Sequence, residues 1–296
     1  MNIEKLFYID DLDNKKISYK RFFSDLSGIS EISVLCKKNS IYEYFLYISA
    51  SLISQTPIIL LDSDLSESEI KELCGNGGFL QKNNVTIPEI KSFEEFLSLV
   101  KAGASSWTCT LFTSGTTGTP KRISHSLKSL ARQAKISPKH SDDAWGFAYN
   151  PTHIAGLQVF FQALFNANTI VRLFGLPAKT LIETIQKEAI THISATPTFF
   201  RMLPAPDRPI QSVRAITSGG EKFDARAMEK LSKAFPAARI HNIYASTEMG
   251  SVLASKGDIF TPDENTKKLL QIKDGELWIH KSLAGKSENI ALSGEW

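Results

Sequence analysis

Cysteine is scarce: Cys36, Cys74 and Cys109 are the only three in 296 residues, far apart and with no CxxC pair. That excludes a disulfide framework, argues against a zinc ribbon and points to a reducing cytoplasm. A dominant sign of charge is lacking too. Lys+Arg number 34 against Asp+Glu 31, a net +3, too balanced to call for nucleic acid or an acidic membrane surface. No basic segment followed by an apolar run opens the chain, so its start does not read as a signal peptide. No apolar stretch reaches, uninterrupted, the roughly 20 residues of a membrane span. Residues 41–61 come nearest, but Glu43, Gln55 and Pro57 break them. A buried helix, a turn and a core strand are expected there. No internal repeat is evident. With 42% hydrophobic and 22% charged residues, the composition is that of a folded globular chain, enough for one large or two ordinary domains.

What is present is alternation. Short apolar runs at residues 32–36, 57–61, 108–113, 145–149, 169–174, 192–195, 213–217 and 240–244 read as strands. Helical patterns at 41–54, 93–100, 126–135, 156–166, 179–188 and 225–234 lie between them. This predicts an α/β fold of stacked, mostly parallel sheets flanked by helices. After residue 251 the helical period fades. Asp274 and Gly275 signal a turn between two short strands, and residues 289–292 read as another strand. The expected organisation is one unit over 1–296, with α/β subdomains over 1–104 and 105–250 and a small β-rich, barrel-like piece over 251–296.

The most informative stretch is Thr113, Ser114, Gly115, Thr116, Thr117, Gly118, Thr119, Pro120 and Lys121. It follows a strand, and a helix is expected after it. Glycines let the backbone turn its N–H groups toward an anion, hydroxyls add donors, and the lysine adds a mobile positive charge. The spacing from Gly115 to Lys121 is not that of the GxxxxGK[ST] nucleotide loop.

This stretch resembles the signature of the adenylate-forming enzymes: acyl- and aryl-CoA synthetases, luciferases and peptide-synthetase adenylation domains. Further motifs follow in that family's order. Residues 151–156 stand in the place of the acyl-pocket motif. Ser218, Gly219, Gly220 and Glu221 come next, then residues 242–248, similar to Asn-x-Tyr-Gly-x-Thr-Glu. Gly275, Glu276 and Leu277 match a strand start. The resemblance covers roughly residues 105–296; the first 104 match only in general pattern.

The resemblance implies a reaction. The oxygen of an aryl or aliphatic carboxylate attacks the α-phosphorus of ATP and pyrophosphate leaves. A thiol of CoA, or of a carrier-protein phosphopantetheine, then displaces AMP from the acyl-adenylate. By the same resemblance, Lys121 with the Ser114, Thr116 and Thr117 hydroxyls holds the β/γ-phosphates, within a loop that Thr113, Gly115 and Gly118 complete. Thr247 donates to the α-phosphate, Glu248 holds Mg²⁺, and Tyr244 stacks on adenine, which the Gly219, Gly220 and Glu221 backbone approaches closely. Asn242, Ala245 and Ser246 belong to the same nucleotide motif. Ala245 stands where the family has Gly, which bears on the shape of the acyl pocket. His153 borders the carboxylate.

No acid occupies residues 149–153, which argues against an amino-acid substrate, because a buried ammonium needs a counter-charge. Phe160, Phe161, Phe199 and Phe200 are candidate pocket walls, with core packing as their other role. His125, His140, His192, His241 and His280 show no metal-ligand spacing and read as structural. In relatives a Thr-Gly-Asp motif and a C-terminal domain carrying the adenylation lysine follow, whereas this chain ends at Trp296. The expectation is a large N-terminal domain that binds ATP weakly and adenylates poorly by itself. A non-catalytic nucleotide- or acyl-binding module and a half-enzyme completed by a partner chain are the alternatives. A small carboxylate and an acyl carrier protein are the expected partners, with no nucleic acid or membrane.

Overall fold

Helix starts are written into the sequence as hydroxyl caps. Ser40 and Glu43 form a capping box ahead of helix Ile41–Ile53, and Ser66 and Glu69 do the same ahead of Glu67–Cys74. The computed structural model describes residues 1–75, 82–113, 120–221, 223–255 and 259–287. In chain order the strands are β1 (Leu6–Asp10), β2 (Lys15–Ser18), β3 (Glu31–Ser33), β4 (Leu35–Lys37), β5 (Ile58–Leu61), β6 (Lys82–Asn84), β7 (Thr108–Thr113), β8 (Lys121–Ser126), β9 (Ala144–Phe147), β10 (Thr169–Arg172), β11 (His192–Ala195), β12 (Ala215–Gly219), β13 (Arg239–Ser246), β14 (Gly250–Ser255), β15 (Leu270–Lys273), β16 (Glu276–Ile279) and β17 (Lys286–Ser287).

Eight of them form one sheet in the order β14-β13-β12-β11-β9-β10-β1-β2. Its interior pairs are parallel, and β2 and β14 close the two edges antiparallel. A second sheet runs β17-β8-β7-β5-β4, with β4, β5 and β7 parallel. One continuous core joins the sheets. It holds Phe7 and Phe147 from the first, Leu60 and Leu111 from the second, and Phe45 and Phe160 from helices Ile41–Ile53 and Ile154–Phe165. Phe45 and Phe160 stack with centroids 4.4 Å apart. A separate cluster, with Ile193, Ile216, Ile185 and Leu231, covers the large sheet's other face beneath helices Ala178–Lys187 and Ala225–Ala234. Parallel strands buried on both faces are the expected architecture.

Several expectations change. Residues 126–135 are not one helix: β8 runs to Ser126, and a single helical turn, Leu127–Leu130, follows. Ile123 and His125 are buried while Arg122 and Ser126 are exposed, so a period of two prevails there. Residues 32–36 split into β3, paired with β6, and β4, paired with β5. A division at 104/105 does not follow the sheets, since β1 and β2 belong to the larger sheet and β7 and β8 to the smaller. The tail is shared out likewise: β14 joins one sheet and β17 the other, leaving only the β15–β16 hairpin apart. Residues 289–292 lie outside the described residues.

The hairpin turn forms as its sequence dictates. Asp274 has φ 52° and Gly275 φ 81°, the two left-handed residues of a type I′ turn. Gly275→Ala should weaken this hairpin by about 1 kcal/mol, read as faster amide exchange across residues 270–279. The three cysteines are free, and burial pushes the Cys36 thiol up to about 12. Among the described residues no helix is long and apolar enough to cross a membrane.

Candidate functional site

Parallel strands end on the same side, so β12 and β13 deliver their carboxyl ends next to each other. Ser218 lies opposite Asn242 and Gly219 opposite Ile243. A Cβ at Gly219 would come within 3.0 Å of the Ile243 carbonyl oxygen, so glycine permits this close approach. Beyond β13 the chain turns at residues 247–249 and returns as β14, with Ser246 opposite Gly250. Gly250 has φ 64°, and a Cβ there would meet Gln158 Nε2 at 2.6 Å. Tyr244 is exposed, with the Phe260 ring 6.1 Å away. Gly220, Glu221, Asn242, Tyr244, Ala245 and Phe260 line a recess of about 410 Å³. It adjoins a cleft of about 870 Å³ between the large sheet and helix Ile154–Phe165, where Tyr149, His153, Ser194, Thr217, Ser246 and Thr247 reach the wall. Clefts of this size at the carboxyl ends of parallel strands are where open α/β sheets bind ligands.

The turn that carries Thr247 and Glu248 is clasped from behind. His125 Nε2 donates to the Thr247 carbonyl (2.9 Å), and its Nδ1 lies 3.2 Å from the Ser129 hydroxyl. The Gly285 N–H donates to the Glu248 carbonyl (2.6 Å). The Arg132 guanidinium donates to the Met249 and Ser251 carbonyls and, at 3.1 Å, to that of Leu283. The Glu248 side chain is half-buried, and no described side chain hydrogen-bonds or ion-pairs with its carboxylate. Glu221, by contrast, is engaged: its Oε2 accepts from Thr198 (2.6 Å) and lies 3.5 Å from Arg201.

The His125 clasp titrates. Burial holds its pKa below the usual histidine value of 6.5, with Arg132 adding to the fall and the Thr247 bond and Glu248 opposing it. The unfolded chain therefore takes up the proton first as pH falls through about 6.5. Stability is complete above that value and declines below it. The melting temperature should drop between about pH 7.5 and 5.5, and His125→Gln should flatten part of that drop, His192 supplying the rest in the same direction.

On the acyl side, the acid missing from residues 149–153 arrives from another strand. Asp62, just past β5, accepts from Asn150 Nδ2 (3.0 Å) and from the Thr152 hydroxyl. Its Oδ2 lies 4.0 Å from Nε2 of His153, which caps helix Ile154–Phe165 and is largely exposed. A lone aspartate after an apolar run gives no signal of this in the sequence. Of the candidate pocket phenylalanines, Phe160, Phe161 and Phe200 are fully buried core residues, and none of the four lines the cleft. Burial pushes the Tyr149 hydroxyl up to about 12.

Thr113 and Lys121 are paired across β7 and β8. The stretch read as a phosphate loop is thus flanked by two antiparallel strands of the smaller sheet and not by a strand and a helix. Ser114, Gly115, Thr116, Thr117 and Gly118 lie outside the described residues.

Fold and cleft together define an open-sheet α/β ligand-binding protein. The AMP-binding enzyme family model matches residues 51–272, and the chain belongs to that family. It is 27% identical over 217 residues to a mitochondrial acyl-coenzyme A synthetase of Rattus norvegicus, covering 69% of this chain and 37% of the relative. It is 27% identical to the 2-succinylbenzoate–CoA ligase of Bacillus subtilis, over 52% of this chain and 32% of that one. The chain thus spans about a third of the length of these relatives. The solved structure of o-succinylbenzoate CoA synthetase from Bacillus subtilis with its acyl-adenylate intermediate superposes with a TM-score of 0.66 at 17% identity, over 97% of this chain and 69% of that one. The fold is therefore that of the adenylate-forming enzymes.

Proposed function

We propose that the chain carries the nucleotide and acyl sites of an ATP-dependent acid–thiol ligase, which activates an aryl or aliphatic carboxylate as its acyl-adenylate and passes the acyl group to a thiol of CoA or a carrier-protein phosphopantetheine. The observation that carries this reading is the convergence of the Ser218–Gly220 turn and residues Tyr244 to Thr247 on one recess and its adjoining cleft, with His153 on the cleft wall and Glu248 next along the chain.

In this reading the close-packed Gly219 backbone, the open Gly220 next to it and the exposed Tyr244 ring receive the adenine. Glu221, already engaged by Thr198 and Arg201, shapes the recess and does not bind directly. Thr247 donates to the α-phosphate, and Lys121 with the loop before it holds the outer phosphates. Glu248 suits a hard cation: it offers carboxylate oxygen and has no described side-chain partner. Mg²⁺ held there would neutralise phosphate charge. The carboxylate oxygen of the substrate bonds to the α-phosphorus, the bond to pyrophosphate breaks, and the thiol sulfur later replaces AMP on the acyl carbon. The protein's share is positioning and charge neutralisation. Asp62 Oδ1 is committed to Asn150 and Thr152; the reading of a carboxylate lacking an α-ammonium rests on residues 149–153 themselves, which carry no acid. The free cysteines support a reducing compartment, in this reading the cytoplasm.

The test is calorimetric titration with ATP, AMP and a non-hydrolysable acyl-adenylate analogue, each with Mg²⁺. The expected order is analogue tightest, because it fills recess and cleft together. Absence of adenine-nucleotide binding, or an analogue no tighter than AMP, would sink the proposal.

A further inference from the structure

The far end of the same cleft gathers a second set of reactive side chains. At the amino ends of the parallel strands, Asp143 precedes β9, His192 opens β11, and His140 lies in the 3-10 turn Pro138–His140. No sequence spacing relates these three; strand pairing between β9 and β11 brings them together. His140 Nδ1 lies 2.8 Å from Asp143 Oδ2, and His192 Nε2 lies 3.6 Å from the same oxygen. One ligand atom from each falls within 4.8 Å of the others. Donors bound about 2.0–2.2 Å from one zinc ion stand roughly 3–4 Å apart, so this triangle needs little adjustment to close on a cation.

The surroundings fix the ligands. The Ala144 N–H donates to Thr191 Oγ1 (2.8 Å), the Thr191 hydroxyl proton goes to the Ala144 carbonyl (3.1 Å), and His192 Nδ1 lies 2.8 Å from that same Oγ1. Thr191 Oγ1 can accept from Nδ1–H, the tautomer that leaves the His192 Nε2 lone pair for a cation. The His192 ring also lies against Trp145, centroids 4.7 Å apart. Arg214 takes the other carboxylate oxygen, Oδ1, at 2.8 Å, which orients Asp143 and leaves Oδ2 to the two imidazoles. Asp143 is 2% exposed, whereas the His140 side chain is 30% exposed, so water can reach the remaining positions.

We propose that His140, Asp143 and His192, which line the far end of the same cleft, form a binding site for a borderline divalent metal ion of the zinc type. Two imidazoles and one carboxylate with an open position are a donor set that zinc accepts. Such a site would tie the 137–143 segment to the amino ends of β9 and β11.

The experiment is calorimetric titration of the chelator-treated full chain with Zn²⁺, repeated with Co²⁺ and read by visible absorption. One equivalent per chain is expected, with no thiolate charge-transfer band. His140→Ala and His192→Ala should each weaken binding by more than about 100-fold, beyond the 10–100-fold of an outer-shell loss. Cys74→Ser and Glu248→Gln should leave it unchanged. His140 lies on an exposed turn, so its variant decides the matter if His192→Ala fails to fold. Absence of a stoichiometric site, survival of binding in His140→Ala, or its loss in Cys74→Ser would each overturn the proposal.

Discussion

Replacing Glu248 by glutamine should lower the affinity for Mg·ATP by at least about tenfold, or 1.4 kcal/mol, while the melting temperature stays close to wild type. The amide keeps the shape of the side chain and removes the charge. No described side chain pairs with the carboxylate, so the fold has little to lose, and surface changes of this kind cost within about 0.5 kcal/mol. The informative comparison is with magnesium withdrawn. Wild type without Mg²⁺ should bind ATP about as weakly as the variant does with it. A variant that still gains affinity from Mg²⁺ as the wild type does would remove Glu248 from the nucleotide site.

Arg132→Ala should cost about 2–3 kcal/mol, the worth of charged hydrogen bonds to partly buried carbonyls, and should lower nucleotide affinity as well. One planar guanidinium reaches the carbonyls of Met249, Ser251 and Leu283. It thereby joins the 247–249 turn to the Lys281–Leu283 turn. Without it the Met249 and Leu283 carbonyls lose their side-chain donor, only Gln133 still reaches Ser251, and the turn bearing Thr247 and Glu248 loosens. Lysine should recover only part of the loss, because a single ammonium cannot reproduce the fork. Thermal melting and ATP titration of the three proteins check this. Wild-type melting in Arg132→Ala would show that the clasp contributes nothing.

These two residues differ in how they could be found. Glu248 was legible because it sits in a run of residues that resembles a known motif. Arg132 was not, for its partners are backbone carbonyls, which no sequence pattern marks. The same holds for His125 against Thr247, and for Asp62, which reaches Asn150 and Thr152 from a strand far away in sequence. Strand and helix alternation gave the parallel sheet, and a turn requiring left-handed residues placed Asp274 and Gly275 correctly. β8 escaped because its inward position is a histidine, so its period of two does not show as hydrophobic alternation. The phenylalanines of helix Ile154–Phe165 read as pocket candidates, with core packing as the more common role for such residues. Only the second sheet closing over them decides, with Phe160 stacked on Phe45.

β1 has no local partner for its parallel edge. Its Leu6 carbonyl accepts from the Thr169 hydroxyl 163 residues later, and Tyr8 lies opposite Ile170. On a ribosome adding about 5–20 residues per second, that stretch takes roughly 10–30 s to emerge. Throughout that interval the nascent chain carries an apolar strand whose interior edge is open, next to Phe22, Phe45 and other aromatic residues that are already synthesised. Hairpin pairing with β2 covers one edge only. The other edge is a template for pairing with neighbouring chains until β10 arrives.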